Sequence, residues 1–301
     1  MRTTRIAGAF AGIAIAALAL TACNSGTPGA EPGATCGASD APAGNPWTVA
    51  EDVTIDGSPT FDRIKSAGVV KVGVKEDQPG LGFLDPTTGE RTGFDVDVAR
   101  WIAASLGYDE DKIEFTAIPS ANREQAIVNG DIDYYVGTYS ITDERKKQID
   151  FAGPYFITGQ GLLVAADNED IAGPDDLAGK VVCSVTGSTP LQRIRDEYSP
   201  GDTREYDTYS QCIDQLLQGQ VDAITTDEAI LAGYVAQRPD ELKIAGEPFS
   251  EERYGVGLPK GDTALLDHVN GLFTDGGDVW DALFEEHLAP AGIDGEQPAV
   301  D

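Results

Sequence analysis

From Phe61 onward the apolar positions alternate between two spacings. Short β-branched runs are followed by stretches in which apolar residues recur every three or four positions. "VVKVGV" (Val69–Val74) reads as a strand, and "GFDVDVARWIAASLG" after it sets Phe94, Val98, Trp101, Ile102 and Leu106 on one helical face. A strand over Lys112–Ile118, a helix in "NREQAIVNG" and a strand in "DIDYYVG" follow. The second half repeats the style, with a strand over Lys180–Val185 and a helix in "TPLQRIRDEY". That helix start places Thr189 at the N-cap and Pro190 at the first helical position. "TYSQCIDQLLQG" reads as helix, "VDAITT" as strand and "EAILAGYVAQ" as helix. Strands alternating with helices predict an α/β fold with parallel sheets covered on their faces. Ala126–Ser140 and Gln215–Ala229 echo each other: a helix ends at Gly, then a strand runs into Thr or Ser residues. The echo predicts two lobes of related build, each offering polar groups at a strand's C-terminal end, where ligands bind in open α/β sheets.

The chain before Phe61 has no such pattern. Met1–Arg5 carries two arginines, Ile6–Leu20 is apolar, and "LTAC" follows at Leu20–Cys23. A basic head, an apolar core and small residues before a cut read as a secretory leader over residues 1–22. The Cys at the cut resembles the lipobox of bacterial lipoproteins, which implies cleavage before Cys23 and a lipid on its sulfur. An uncleaved membrane helix is the alternative, although the run is short for a span. Residues 23–60, rich in Gly, Ala, Pro and Ser, read as a flexible linker. The last residues, "DGEQPAVD", read as a frayed tail.

Charge narrows the function. The formal net charge is −30, which excludes nucleic acid as a partner, because phosphate backbones need basic stripes. It also disfavours a grip on anionic lipid other than through a covalent anchor. An anionic ligand then needs local cations in a shielded cleft. Cys183 and Cys212 fall in the folded region of an exported chain, so they are expected to pair, with two buried free thiols as the alternative. Cys36 has no evident partner. Enzyme signatures are missing: no nucleophile elbow, phosphate loop or zinc spacing occurs, and His268 and His287 read as solvated helix positions. Neither a metal nor a cofactor is expected.

"YSITDERKKQIDFAGPYF" is similar to a motif of the extracellular solute-binding proteins of polar amino-acid ABC importers. "GFDVDVA", "NGDIDYYVG", "DLAGKVV" and "YGVGLPKGD" extend the likeness over about Phe61–His287. It looks closest to the glutamate/glutamine-binding lipoproteins of Gram-positive bacteria. The resemblance implies a periplasmic binding protein of type II: two α/β lobes joined by two crossover strands, "YFITGQG" and "ERYGVGL". Lobe 1 would hold residues 61–155 and lobe 2 residues 156–253, with residues 254–301 returning to lobe 1. The ligand lies between lobes that close by hinge motion, and a membrane permease receives it. A same-fold dehydratase or a sensor domain remains as a rival on fold grounds.

The resemblance also assigns roles. Arg145 grips the ligand α-carboxylate, with Ser140 and Thr138 beside it, while Lys146 and Lys147 face water. The "TGSTP" turn closes on the carboxylate through a backbone N–H at Thr189, or Thr189 is a plain cap. Asp227 pairs with the α-ammonium. Glutamine-binding members carry an acid where this chain has Lys75, and an aromatic where it has Ser120. Lys75 and Arg123 therefore argue for an acidic ligand side chain, glutamate above aspartate, with Thr226 a further contact; rim positions for both cations are the alternative. Glutamine or asparagine is the runner-up ligand.

Overall fold

The computed structural model describes residues 45–301. The expected leader, the lipidation at Cys23 and the solitary Cys36 lie outside the described residues. None of the described helices is long and apolar enough to cross a membrane.

Helix α1 (Pro59–Ala67) opens the body, capped by the Ser58 hydroxyl, which accepts from Phe61 N at 3.0 Å. Strand β1 (Val70–Val74) is buried in the middle of the first sheet. A small flap of three short strands follows: β2 (Asp77–Gln78), β3 (Gly82–Leu84) and β4 (Arg91–Thr92). Helix α2 (Phe94–Ser105), strand β5 (Ile113–Ala117), helix α3 (Arg123–Asn129), strand β6 (Tyr134–Tyr135) and the single turn α4 (Asp143–Lys146) complete the outward path. Strand β7 (Ile149–Thr158) then leaves this lobe, and β8 (Gln160–Ala165) begins the next. Lobe 2 continues with β9 (Val181–Val185), α5 (Thr189–Glu197), β10 (Asp202–Tyr206), α6 (Tyr209–Leu217), β11 (Ala223–Asp227), α7 (Glu228–Gln237) and β12 (Leu242–Ala245). Strand β13 (Glu252–Pro259) returns, followed by α8 (Thr263–Asp275) and α9 (Gly277–His287).

The two sheets run β5-β1-β6-β13-β7 and β10-β9-β11-β8-β12. Both are mixed, not parallel as the alternation predicts. β7 and β13 pair antiparallel, from Ile149 opposite Pro259 to Thr158 opposite Glu252. β8 lies antiparallel to both β11 and β12. The cause is topological: one strand carries the chain out of lobe 1 and one brings it back, so the two crossovers run in opposite directions. The type II architecture inferred from the sequence is the observed one.

Two expected boundaries move. Trp47, Val53 and Ile55 are partly buried against the core, and Ala50 N donates to Ala104 O at 2.9 Å. The stretch before Phe61 thus belongs to the body, held by three apolar residues in an otherwise linker-like composition. At the other end, Val300 packs on the core, Asp301 pairs with Arg253, and Asp301 N donates to Gly153 O at 3.1 Å. The tail is tied down. The Cys183–Cys212 disulfide joins β9 to α6 across a Cα separation of 5.7 Å.

Candidate functional site

The polar ends of five strands converge where the lobes meet. β1 runs into Lys75, β5 into Ser120, β6 into Thr138 and Ser140, β9 into Ser188 and Thr189, and β11 ends at Asp227. These groups are brought together because parallel neighbours present their C-terminal ends at one edge of each sheet. The lobes close there on a cavity of about 10 Å3, room for roughly one water. Ser120, Arg123, Thr138 and Ser140 line it from lobe 1; Ser188, Thr189, Pro190, Tyr209, Asp227 and Ile230 line it from lobe 2. An amino acid enters only if the lobes part.

Three expected residues stand behind this lining. Lys75, only 5% exposed, donates from Nζ to Ser120 Oγ at 2.8 Å and walls a second cavity of about 110 Å3 with Asp77, Asp207 and Thr208. Arg145 donates from Nη1 to Ser140 O at 2.6 Å, from Nη2 to Gly187 O of lobe 2 at 3.1 Å, and from Nε to Glu124 at 3.1 Å. Three of its five N–H groups are used and two remain. Thr226 is fully buried, its hydroxyl without a partner, and it does not line the cavity. Arg123 does reach it, donating to Ser120 O at 3.1 Å and Thr138 O at 3.3 Å.

Electrostatics divides the site. Arg123 and Arg145 both lie on the Tyr139 ring, at 4.1 and 4.9 Å from its centroid. Burial and Arg123 lower Arg145 to a pKa of about 10, and the same two causes lower Lys75 to about 7. Opposite them, Asp227 is 3% exposed; its Oδ2 accepts from Tyr254 O–H at 2.6 Å, while Oδ1 is buried without a partner. Burial, then the neighbouring Glu252 carboxylate, raises Asp227 to about 7.

One expected detail is corrected. Ser188, not Thr189, caps α5: its hydroxyl accepts from Leu191 N at 3.2 Å. Thr189 is the first helical residue, and its hydroxyl donates to Glu252 at 3.0 Å. With that proton spent, the Ser140 hydroxyl, 3.1 Å away across the lobes, is the donor to Thr189. Ser-Thr-Pro offers two hydroxyls in a row; Ser188, with extended dihedrals, takes the cap, and Thr189 turns to Glu252 on the returning crossover.

Several residues escaped the sequence reading. Tyr139 carries both guanidinium groups. Asp95, buried in α2, accepts from Tyr155 O–H at 2.7 Å and Thr138 N at 2.9 Å, and so holds Thr138 in a left-handed conformation (φ 45°). The signal for it was an aspartate on the apolar face of α2. Glu252 also accepts from Arg193 at 3.0 Å and is 3% exposed. The histidines are bonded, not merely solvated: His287 to Asp97 at 2.6 Å and His268 to Ser105 at 3.0 Å.

A larger concavity, about 550 Å3, lies on the outside of lobe 1 between Arg91, Arg100 and His287. Asp97, Glu286 and His287 lie close enough there to share an ion. Yet both Asp97 oxygens are already engaged, by His287 and by Arg100 at 2.8 Å. The smaller interlobe cavity, not the larger concavity, gathers the convergent polar groups.

Comparison with known proteins shows the family. The family model of the bacterial extracellular solute-binding proteins, family 3, matches residues 70–276. The glutamate-binding protein GluB of Corynebacterium efficiens is 44% identical over 223 residues, covering 69% of this chain and 76% of its own. A glutamine-binding protein of Geobacillus stearothermophilus is 40% identical over 207 residues, covering 69% and 79%. Among solved structures, the cysteine-binding protein of Campylobacter jejuni superposes with a TM-score of 0.74 at 28% identity, covering 80% of this chain and 98% of that one.

Proposed function

The chain belongs to the bacterial extracellular solute-binding proteins of family 3, which bind solutes and are not enzymes, and from that premise we propose that it is the lipid-anchored binding component of an amino-acid ABC importer, taking L-glutamate, or aspartate, between its lobes. The lipid on Cys23 would anchor the extracytoplasmic body to the cell membrane, and the partner is a permease. The observation that carries the amino-acid reading is the polarity of the cleft: cations on lobe 1 face a carboxylate on lobe 2 with one unpartnered oxygen. That is the complement of a zwitterion, with Arg145 on the α-carboxylate and Asp227 Oδ1 on the α-ammonium. The two free N–H groups of Arg145 suit a planar carboxylate. The Ser140 hydroxyl, freed from Thr189 when the lobes part, and the Thr189 backbone N–H at the start of α5 add donors for the same group, with Thr138 beside them.

Glutamate is favoured over other amino acids by Lys75 and Arg123, which share Ser120 as a neighbour on one side of the cavity. An acidic side chain directed there meets two cations in a dry site. Thr226, with its unpartnered buried hydroxyl, stands beside Asp227 as a further contact. Glutamine is the second reading, favoured by the near-neutral pKa of Lys75, which lets an uncharged amine face an amide. The likeness to both glutamate- and glutamine-binding relatives supports either.

Calorimetric titration with the twenty amino acids separates them. Glutamate is expected to bind at least about tenfold tighter than glutamine at pH 6, where Lys75 is charged. Tighter binding of glutamine there removes the Lys75 argument. Arg145→Ala is expected to abolish binding of every amino acid, and normal binding by that variant refutes the central assignment.

A further inference from the structure

The lobes also meet outside the ligand cavity, beside the small cavity that Asp77 walls with Lys75. Asp77, in β2 of the lobe 1 flap, extends its carboxylate to lobe 2. Oδ2 accepts from Tyr209 N at 2.7 Å and Ser210 N at 3.2 Å, the first two N–H groups of α6. The cap of α6 proper is Thr208, which forms a reciprocal capping box with Gln211. Thr208 therefore serves the third N–H group, and the two that it leaves open are served from the other lobe. Tyr234 of α7 adds an O–H bond to the Asp77 carbonyl. Two residues on, the Pro79 carbonyl rests against α7 at Gly233, where a Cβ would lie 2.2 Å from Pro79 O. Asp77, Pro79 and Gly233 do not line the ligand cavity.

We propose that Asp77 and the Pro79–Gly233 contact form a lock across the lobe seam that sets how tightly every ligand is held without touching one. Among the described residues the Asp77 carboxylate has no hydrogen-bond partner in its own lobe. When the lobes part, Asp77 and the two α6 N–H groups return to water and nothing inside lobe 1 is disturbed. The contacts therefore favour closure alone. Ligand affinity scales with the population of the binding-competent closed form, so a lock of this kind multiplies the affinity of all ligands by one factor. A helix start adds its partial positive charge to the attraction for Asp77. The glycine has its own logic: inside a helix it is unfavourable, and here only a residue without Cβ lets the flap seat.

Gly233→Ala and Asp77→Asn, each in the full chain, test the lock. Alanine is the better helix former, so Gly233→Ala is expected to keep or raise the melting temperature of the unliganded chain. It should nevertheless weaken L-glutamate and L-glutamine by the same factor, about fivefold or more, read by calorimetry. Asp77→Asn should weaken both as well, measured at pH 6 so that its effect on the charge of Lys75 is small. Small-angle scattering should show both variants more extended than the parent. A lower melting temperature in Gly233→Ala would assign the glycine to the packing of lobe 2, against the lock. Affinities within about twofold of the parent, or a loss confined to glutamate in Gly233→Ala, overturn the proposal. If neither amino acid binds the parent, the unliganded scattering curves decide: identical curves refute the lock, and more extended variants support it.

Discussion

The two halves of the cleft are built on different principles. Lobe 1 offers cations that are already committed: Lys75 to Ser120, Arg123 to two carbonyls, Arg145 to Ser140 O and Glu124, with both guanidinium groups laid on Tyr139. Lobe 2 offers one acid whose second oxygen has no partner, and a helix start whose first hydroxyl is turned to Glu252. The lobe 1 half is preorganised and the lobe 2 half is unsatisfied. A ligand that meets lobe 1 first costs little reorganisation there. Its ammonium then satisfies Asp227 only in the closed form, and only contacts better made in the closed form drive closure. In a chain of net charge −30, this division also keeps the cations shielded from the surrounding field.

The strongest way to break the comparison is to remove the unsatisfied half. Asp227→Asn should weaken every amino acid by roughly 150-fold to 4000-fold, the equivalent of about 3–5 kcal/mol for losing one partner of a buried charge pair. If lobe 1 binds first, residual weak binding persists with fast release, measurable by stopped-flow. The same variant should raise the melting temperature of the unliganded chain above about pH 7, because it removes a buried carboxylate charge. Unchanged affinity would detach Asp227 from the ligand.

Lys75→Met should have a smaller and more selective effect. Glutamate should weaken roughly 10-fold to 100-fold and glutamine much less. The unliganded chain should gain stability, and the sign is fixed by the depressed pKa. The folded state holds the Lys75 proton less tightly than the unfolded state, so the burial cost is fully present below about pH 7 and vanishes toward high pH. The gain in melting temperature should accordingly be larger at pH 6 than at pH 10. An equal loss for both amino acids would make Lys75 a packing residue.

Much of this was legible before any coordinates. Strand and helix periodicity gave the alternation of elements, the family resemblance supplied the two lobes and the crossovers at "YFITGQG" and "ERYGVGL", and the cysteines of β9 and α6 do pair. Strand direction was not legible, because β7 and β8 carry the same apolar character whichever way their neighbours run. Thr189, read as the cap, is bonded instead to Glu252, 63 residues further along the chain, a partner no local pattern shows. Asp95 and Tyr139 act through distant partners, Tyr155 and the two arginines, so local pattern flags at most a buried aspartate and not what either residue holds. Residue type at a strand end is read locally, but which neighbour that residue is bonded to is decided by the fold.

The finest discriminator is pH. In the free protein Lys75 and Asp227 both titrate at about 7, pushed there from opposite directions by burial. Glutamate needs Lys75 charged, so its affinity should fall as pH rises through 7. It needs Asp227 ionised, so its affinity should also fall as pH drops through 7. The expected profile is a bell centred near neutrality, with limbs approaching about tenfold per pH unit well beyond each pKa. Glutamine, which needs no cation at its side chain, should show only the acid limb, and Lys75→Met should convert the glutamate bell into that same one-sided curve. The limbs alone do not say which group titrates, and the single substitution is what assigns them. A glutamate profile that is flat from pH 6 to 8 would place both groups outside the binding equilibrium and dissolve the contrast between the lobes.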